Sequence, residues 1–410
     1  MSTSWLCSRF STNLKIILVT AIAAVCVTPS TGQEKVLLNF QNNFRAGFQP
    51  ESELILDSAG NLYGTTYYGS AYDSGVAFEL TPKVGGGWTE KVLHSFELAG
   101  YPTSGLVFDA AGNLYGTTEL TAYQLAPEAD GSWQATTIHV FGRGFTGDSL
   151  YPYGTLTFDS AGNLYGVTTS NGGAVYELVP TAGGRWIGKL LHGFSEALDG
   201  KVPNGGLIFD AAGNLYGTTA YGGHLGGCSP EGRGCGTVFE LTPSAGGVWT
   251  ETILFEFESS GTAGYDPTAG LIFDSSGNLY GGTSGGGRFG GGAAFELSPT
   301  GDGHWTEATL HNFGDGMDGS FVISSLVLDS AGSLYGTTYA GGPHFGTAFE
   351  LSNTGAGGWK EKILHNFGGG DDASDPDSAL ILDRAGNLYG TSLEGGEYGF
   401  GTVFEITPSN

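Results

Sequence analysis

Three kinds of residue in this chain recur at spacings that could support chemistry. Aspartate opens the stretch Asp-x-Ala-Gly-Asn-Leu-Tyr-Gly-Thr-Thr, which appears with small variations from Asp57, Asp109, Asp159, Asp210, Asp274, Asp329 and Asp383. Oxygen ligands in a tight glycine-containing loop are the raw material of a calcium site. The same residues also make a plain turn, because Asp accepts backbone N–H groups while Gly and Asn take up left-handed geometry. Ser333 stands in the Asn place of the sixth copy, an exchange a turn tolerates better than a metal loop. Histidine recurs in the pattern Trp-x5-His-x-Phe as Trp88/His94/Phe96, Trp133/His139/Phe141, Trp186/His192/Phe194, Trp305/His311/Phe313 and Trp359/His365/Phe367, with Phe255 in the His place of the fourth copy. Even spacing puts these rings on one face of a strand, and a histidine repeated in this way reads as packing between neighbouring units rather than as a general base. Glutamate recurs as Glu79, Glu177, Glu240, Glu296, Glu350 and Glu405 between Phe and Leu. That alternation turns it toward solvent or a polar neighbour and argues against a general acid.

The elements that must position these residues follow from the repeat. Its intervals of 52, 50, 51, 64, 55 and 54 residues lie near the length of a four-stranded propeller blade. The fourth copy displays the plan. Gly206 to Asp210 is a short apolar run, expected as the innermost strand A, and Ala211 to Asn214 is a turn. Leu215 to Thr219 begins strand B, Gly236 to Leu241 is strand C, and Trp249 to Phe257 is strand D. Aromatic and β-branched residues fill the strands, and Gly, Pro, Asn and Asp fill the gaps. The glycine after each motif tyrosine (Gly64, Gly116, Gly166 and their equivalents) is expected to permit close backbone approach. The seventh copy ends at Thr407-Pro408 without a strand D, while Glu34-Lys35-Val36-Leu37-Leu38-Asn39-Phe40 matches Glu90-Lys91-Val92-Leu93-His94-Ser95-Phe96. An N-terminal strand that completes the last blade removes both open edges. The expected fold is therefore all-β, a seven-bladed propeller over residues 33–410, preceded by a leader over 1–32.

The combination of Asp-x-Ala-Gly-Asn-Leu-Tyr-Gly-Thr-Thr with Gly-Thr-Val-Phe-Glu-Leu-Thr-Pro, across roughly residues 34–408, resembles the Gloeo/Verruco (GloVer) tandem repeats of secreted bacterial proteins. The resemblance implies a propeller and an extracellular or periplasmic location, and it implies no particular activity. Members of that family often carry a C-terminal anchoring segment, for which this sequence has no counterpart. The second copy departs from the pattern, since Glu119 to Leu125 leaves almost no loop between strands B and C.

Composition narrows the partners. With 41 acidic residues against 15 Lys and Arg, the formal charge is −26, which disfavours nucleic acid and anionic membrane surfaces. Gly is about 2.5 times its usual share, and it marks turns rather than disorder because 40 % of the residues are hydrophobic. Arg9 and Lys15 precede the apolar run Ile16 to Val27 and the small residues Ser30, Thr31 and Gly32, the pattern of a secretory signal. That run is too short to span a bilayer, so a secreted or periplasmic protein with no membrane span is expected. Val25 before Cys26 argues against lipidation there. Cys228 and Cys235 bracket a turn-rich loop, and a disulfide is expected in an oxidising compartment. Zinc is the alternative, for which His224 alone is too few additional ligands.

In a propeller the A–B and C–D turns share one face, and the B–C loops and D–A crossovers share the other. Variation here is concentrated on the second face. Its loops carry Tyr67, Tyr68, Tyr221, Tyr339, Phe345, Glu394, Glu397 and Tyr398, and loops on a rigid scaffold are where binding resides. Tyr68, Tyr221, Tyr339, Glu394 and Tyr398 are the candidate ligand-binding residues, since a tyrosine ring gives apolar contact with a polar tip. The crossovers place an acid four residues before a Pro slot in Asp148/Pro152, Asp199/Pro203, Asp318/Val322 and Asp372/Pro376, thickened by Asp371, Asp375 and Asp377. These read as turn residues or as weak calcium ligands. No cofactor fingerprint, nucleophile motif or His-rich metal set is present. The expected function is a monomeric binding or scaffold module for an extracellular glycan or envelope protein, without a cofactor. The alternative is a polysaccharide lyase or glycoside hydrolase using the same face.

Overall fold

The computed structural model describes residues 33–408 except 44–45, 98–99, 144–148, 195–198, 224–227, 229–232, 344 and 356. The leader over 1–32, Asp148 and His224 lie outside the described residues. The chain forms seven antiparallel four-stranded sheets, the blades of a β-propeller. In blade 4, strand A is Ile208–Phe209, B is Leu215–Thr219, C is Thr237–Pro243 and D is Trp249–Glu256. The strand A segments are shorter than the apolar pattern suggests, two residues each except for Pro152–Phe158 in blade 3. They are half-buried rather than sealed on both faces, because one side borders the axial channel.

Blade 7 pairs Ile381–Leu382, Leu388–Ser392 and Thr402–Thr407 with the N-terminal strand Gln33–Asn39, in the order D-C-B-A from the N-terminal strand inward. The register sets Lys35 opposite Glu405 and Val36 opposite Phe404. Closure thus joins the two ends of the described chain in one sheet.

The recurrent motif is a set of contacts rather than a reactive site. Asp57 Oδ1 accepts the N–H groups of Ala59 and Asn61, and Oδ2 accepts the Asn61 amide and the Tyr63 hydroxyl. The same hydroxyl reaches Glu79 at 3.1 Å, as Tyr165 reaches Glu177 and Tyr216 reaches Glu240. The recurrent strand C glutamate therefore receives the motif tyrosine. In blade 6 Ser333 keeps the backbone bond to Asp329 at 2.8 Å. The first threonine of the motif runs around the ring: Thr65 donates to the Ser104 carbonyl, Thr218 to Ala269, Thr337 to Ser378 and Thr391 to Ser52. That last bond crosses the closure from blade 7 to blade 1.

The motif glycine has a different reason from the expected one. A Cβ at Gly64 would lie 2.8 Å from Phe78 Cζ, and one at Gly217 would lie 2.6 Å from Phe239 Cζ. Glycine here makes room for an aromatic ring of strand C, not for another backbone. That ring in turn meets the last Phe of the preceding blade. The pairs are Phe40–Phe78, Phe96–Tyr123, Phe141–Tyr176, Phe194–Phe239, Phe257–Phe295, Phe313–Phe349 and Phe367–Phe404, with centroids 4.8–5.4 Å apart. The tryptophans add a second contact between blades: Trp88 meets Tyr389, Trp186 meets Tyr115 and Trp305 meets Tyr216 edge-on. They are half-buried, so their removal should cost less than removal of the fully enclosed phenylalanines.

Phe40, at the end of the N-terminal strand, makes the same contact as Phe313 in mid-chain. Phe40→Ala and Phe313→Ala are therefore predicted to lower stability alike, by about 3–5 kcal/mol. Denaturant unfolding of the two variants checks this, and a near-neutral Phe40→Ala would contradict closure by the N-terminal strand.

Candidate functional site

Six of the seven crossovers into a blade bend sharply before they reach the axis. Gln49, Tyr151, Val202, Asp266, Phe321 and Asp375 all have φ between 53° and 65°, left-handed values that non-glycine residues seldom adopt. Each precedes Pro, or Val322 in blade 6. The bend is held by the first residue after strand B: Tyr67, Thr169, Ala220, Ser284, Tyr339 and Leu393 donate their N–H to the carbonyls of these six residues. Strain that is fixed by its surroundings is a mark of a functional edge. Beyond the bend, the next residues point along the axis.

Those residues form tiers. Counting back six from each motif Asp gives Glu51, Thr103, Tyr153, Asn204, Thr268, Ile323 and Asp377, which border a cavity of about 280 Å³ lined by all seven blades. Counting back four gives Glu53, Gly105, Thr155, Gly206, Gly270, Ser325 and Ala379. Six of these seven also line a second cavity of about 270 Å³, so this tier divides the channel. Glu53 crosses it. Its Oε2 accepts from Thr155 Oγ1 of blade 3 at 3.3 Å, and its Oε1 accepts from Ser325 Oγ of blade 6 at 3.4 Å. Burial raises the Glu53 carboxyl above the ordinary range, against the lowering effect of those two hydroxyls.

Above this tier the channel mouth is acidic. Burial pushes Asp377 up to about 6, and burial together with the Asp377 charge pushes Glu51 up to about 7. Burial, then the charges of Asp377 and Glu51, raises the Tyr153 phenol to about 12.

A cleft of about 430 Å³ opens beside the mouth, lined by Glu51, Tyr67, Tyr68, Glu119, Tyr151 and Tyr153 among others. Blades 1 to 3 build it. The Tyr67 hydroxyl donates to Glu119 at 2.7 Å; Tyr67 stacks on Tyr101 at 5.0 Å, and Tyr68 stacks on Phe48 at 5.6 Å. Pairing of Gly47–Phe48 with Tyr68–Gly69 ties the crossover to the loop that carries these rings. The short second blade helps, because with almost no B–C loop it leaves Glu119 at the cleft. Among the described residues, no Lys or Arg lines the cleft or the axial cavity.

The five residues expected from sequence spread around the ring. Tyr68 lies in this cleft. Tyr221 belongs to blade 4, where the Arg233 guanidinium stands 5.4 Å from its ring. Tyr339 belongs to blade 6, where burial and then the charges of Asp375, Asp377 and Glu394 raise its phenol. Glu394 sits in the short strand Glu394–Gly395, which pairs with Ala373–Ser374, and Tyr398 is exposed nearby in sequence. Glu51, Glu53, Glu119, Tyr101, Tyr151 and Tyr153 were not expected. Alignment on the motif Asp is the signal for Glu53, since the other six blades place Gly, Thr, Ser or Ala there.

The chain carries two further features of note. Cys228 and Cys235 form a disulfide with Cα atoms 5.2 Å apart, which leaves no free thiol pair for zinc. Among the described residues, no helix is long and apolar enough to cross a membrane.

With the seven blades and their strand order in place, comparison with known proteins is informative. Residues 225–410 match the Gloeobacter/Verrucomicrobia repeat. The Asp motif of that matched stretch recurs outside it at Asp57, Asp109, Asp159 and Asp210. No curated protein sequence matches this chain. Among solved structures, virginiamycin B lyase from Staphylococcus aureus superposes with a TM-score of 0.56 at 13 % identity, over 92 % of this chain and 99 % of that one. The extracellular domain of a one-component system of B. thetaiotaomicron gives 0.56 at 15 %, over 92 % of this chain and 42 % of that one. A protein of Bacteroides uniformis named as a 6-phosphogluconolactonase gives 0.51 at 14 %, over 77 % and 84 %. At such identities the likeness is one of fold.

The acids at the mouth set a pH dependence. Asp377 and Glu51 hold protons more tightly folded than unfolded, so the folded state binds more protons between about pH 4 and 7 and stability falls as pH rises through that window. The melting temperature is predicted to drop from pH 5 to pH 8, and to drop less in the Glu51→Gln/Asp377→Asn variant. Equal slopes for the two proteins would show that these acids do not hold protons more tightly in the folded state.

Proposed function

We propose that the protein is an extracellular binding module that holds a neutral glycan chain in the cleft of blades 1 to 3. The observation that carries this reading is the convergence of Tyr67, Tyr68, Tyr151 and Tyr153 with Glu51 and Glu119 around one cleft with no cationic residue among the described ones. Aromatic faces give apolar contact to the C–H faces of a sugar ring, and carboxylates accept from its hydroxyls. A phosphorylated or uronic-acid ligand would meet only like charge, which sets this cleft apart from one suited to a sugar phosphate. An extracellular setting is supported by the disulfide and by the signal-like N-terminal sequence.

One observation favours a catalytic variant of the same reading. Glu51 and Asp377 are both held toward the protonated form near neutral pH, beside Tyr153, a setting suited to general acid–base work on a bound polymer.

Binding of neutral oligosaccharides to the purified protein by calorimetry or a glycan array tests the proposal. Tyr68→Ala and Tyr153→Ala are each expected to weaken binding about tenfold or more, a loss of at least ~1.4 kcal/mol, with the melting temperature almost unchanged. Tyr221→Ala and Tyr398→Ala should leave affinity intact. Binding only of a protein partner, or affinity lost at Tyr221 but not at Tyr68, would overturn the assignment. Turnover of the bound chain that Glu51→Gln abolishes while binding persists would establish the catalytic variant.

A further inference from the structure

Away from the cleft, the repeated histidines do more than pack. At three blade junctions a strand D histidine faces an aspartate of the following crossover and a glutamate from strand D of the next blade. The groups are His192, Asp199 and Glu251; His311, Asp318 and Glu361; and His365, Asp372 and Glu34, and in each one ligand atom per residue lies within 4.8 Å of the others. His311 Nε2 is 3.1 Å from Asp318 Oδ2 and 3.6 Å from Glu361 Oε2. His192 Nε2 is 3.5 Å from Glu251 Oε2 and 4.0 Å from Asp199 Oδ2. His365 Nε2 is 3.1 Å from Asp372 Oδ2. One imidazole N–H cannot serve two carboxylates well, and one oxygen of each glutamate, Oε1 of Glu34, Glu251 and Glu361, has no hydrogen-bond partner and is shielded from water, as is Oε1 of Glu90 at a junction without the His and Asp.

Where the repeat loses the His it loses the Asp as well, while the Glu persists as Glu90 and Glu307. Where His is replaced, by Leu38 and by Phe255, the crossover place of the Asp holds Ala46 and Ala263. At the second of those junctions Glu307 instead accepts the Thr309 hydroxyl at 2.8 Å. Two of the aspartates are also held from behind by backbone N–H groups: Asp318 by Gly314, and Asp372 by Gly368 and Ala373. Such outer contacts are what orient a metal-bound carboxylate.

We propose that these three junctions are divalent transition-metal sites, each formed by one imidazole and two carboxylates from adjacent blades. Ligands about 2.1 Å from a tetrahedral zinc ion lie roughly 3.4 Å from one another, in the range of the N···O separations above. One nitrogen and two oxygens suit zinc or manganese better than calcium, which takes six to eight oxygens. Two carboxylates also cancel the charge of the ion. Water completes the shell, since each histidine side chain keeps about a fifth to a quarter of its surface open. The bound ion would staple blade 3 to 4, 5 to 6 and 6 to 7.

The test uses the full mature protein dialysed against EDTA and then titrated with ZnCl2, with CaCl2 in parallel. Up to three zinc ions per chain are expected by calorimetry and by metal analysis after gel filtration, with a rise in melting temperature. Glu251→Gln, Glu361→Gln and Glu34→Gln should each remove one ion. The triple variant should bind none and melt as the metal-free wild type does. If the triple variant does not fold, the three single variants carry the same test by stoichiometry. Less than one zinc ion per three chains, zinc binding that survives all three substitutions, or uptake of calcium in place of zinc would overturn the proposal.

Discussion

Everything in this molecule depends on a ring of aromatic contacts between blades. Each blade ends in a phenylalanine that lies against the strand C aromatic ring of the next blade, and that ring occupies the space left by the motif glycine. A Cβ at any of these glycines would collide with the ring, so the Gly of Leu-Tyr-Gly is fixed by the strand C ring of its own blade, the ring that meets the preceding blade, and not by its turn. Because the contact runs from one blade to the next, it has to close. Phe40 supplies the seventh pair, and the Thr391 bond to the Ser52 carbonyl closes the inner circle. A propeller without its N-terminal strand would leave Phe78 uncovered and the outer edge of Thr402–Thr407 unpaired.

Much of this was legible in the sequence, for a physical reason. Strand, turn and blade repeat seven times, and every copy reports the same backbone demands, so the period, the turn at Asp-x-Ala-Gly-Asn and the closure by Glu34 to Phe40 could be read directly. The candidate site was less legible. Tyr68 was found because it is an exposed-type residue in a glycine-rich loop, but Tyr151 and Glu51 lie in crossovers whose direction depends on a left-handed bend before Pro. Nothing in the local sequence says that Glu53 leaves its own blade to meet Thr155 and Ser325. Its prominence appears only when the seven copies are aligned, and then as one acid among small residues. The histidine groups were missed for a related cause: their members sit on different strands of adjacent blades, and the pattern Trp-x5-His-x-Phe names only one of the three.

Symmetry explains how such a scaffold acquires function. Positions that hold the ring together, such as the motif Asp, Tyr and Gly, are nearly the same in all seven blades. Positions on the axis and on the crossover face are equivalent in backbone but free in side chain, as the tier of Glu51, Thr103, Tyr153, Asn204, Thr268, Ile323 and Asp377 illustrates. A change at one of these places alters chemistry at one point of the ring without disturbing the contacts that close it.

The symmetry is broken differently on the two sides of this ring. Blades 1 to 3 gather tyrosines over a shortened loop, and the junctions between them lack the glutamate of the histidine groups, with Ala135 and Gly188 in its place. The junctions 3 to 4, 5 to 6 and 6 to 7 carry the full set of His, Asp and Glu. Carboxylates in the cleft are shared with tyrosine hydroxyls and with open space, where a ligand hydroxyl can compete for them. Carboxylates at the junctions face one another and one imidazole in half-buried surroundings, where burial and the neighbouring Asp push Glu251 and Glu361 up to about 8. A hydroxyl would leave that repulsion in place, whereas a cation removes it. Under the two proposals, the same residue type on the same scaffold serves a neutral polar ligand on one side and a positive charge on the other.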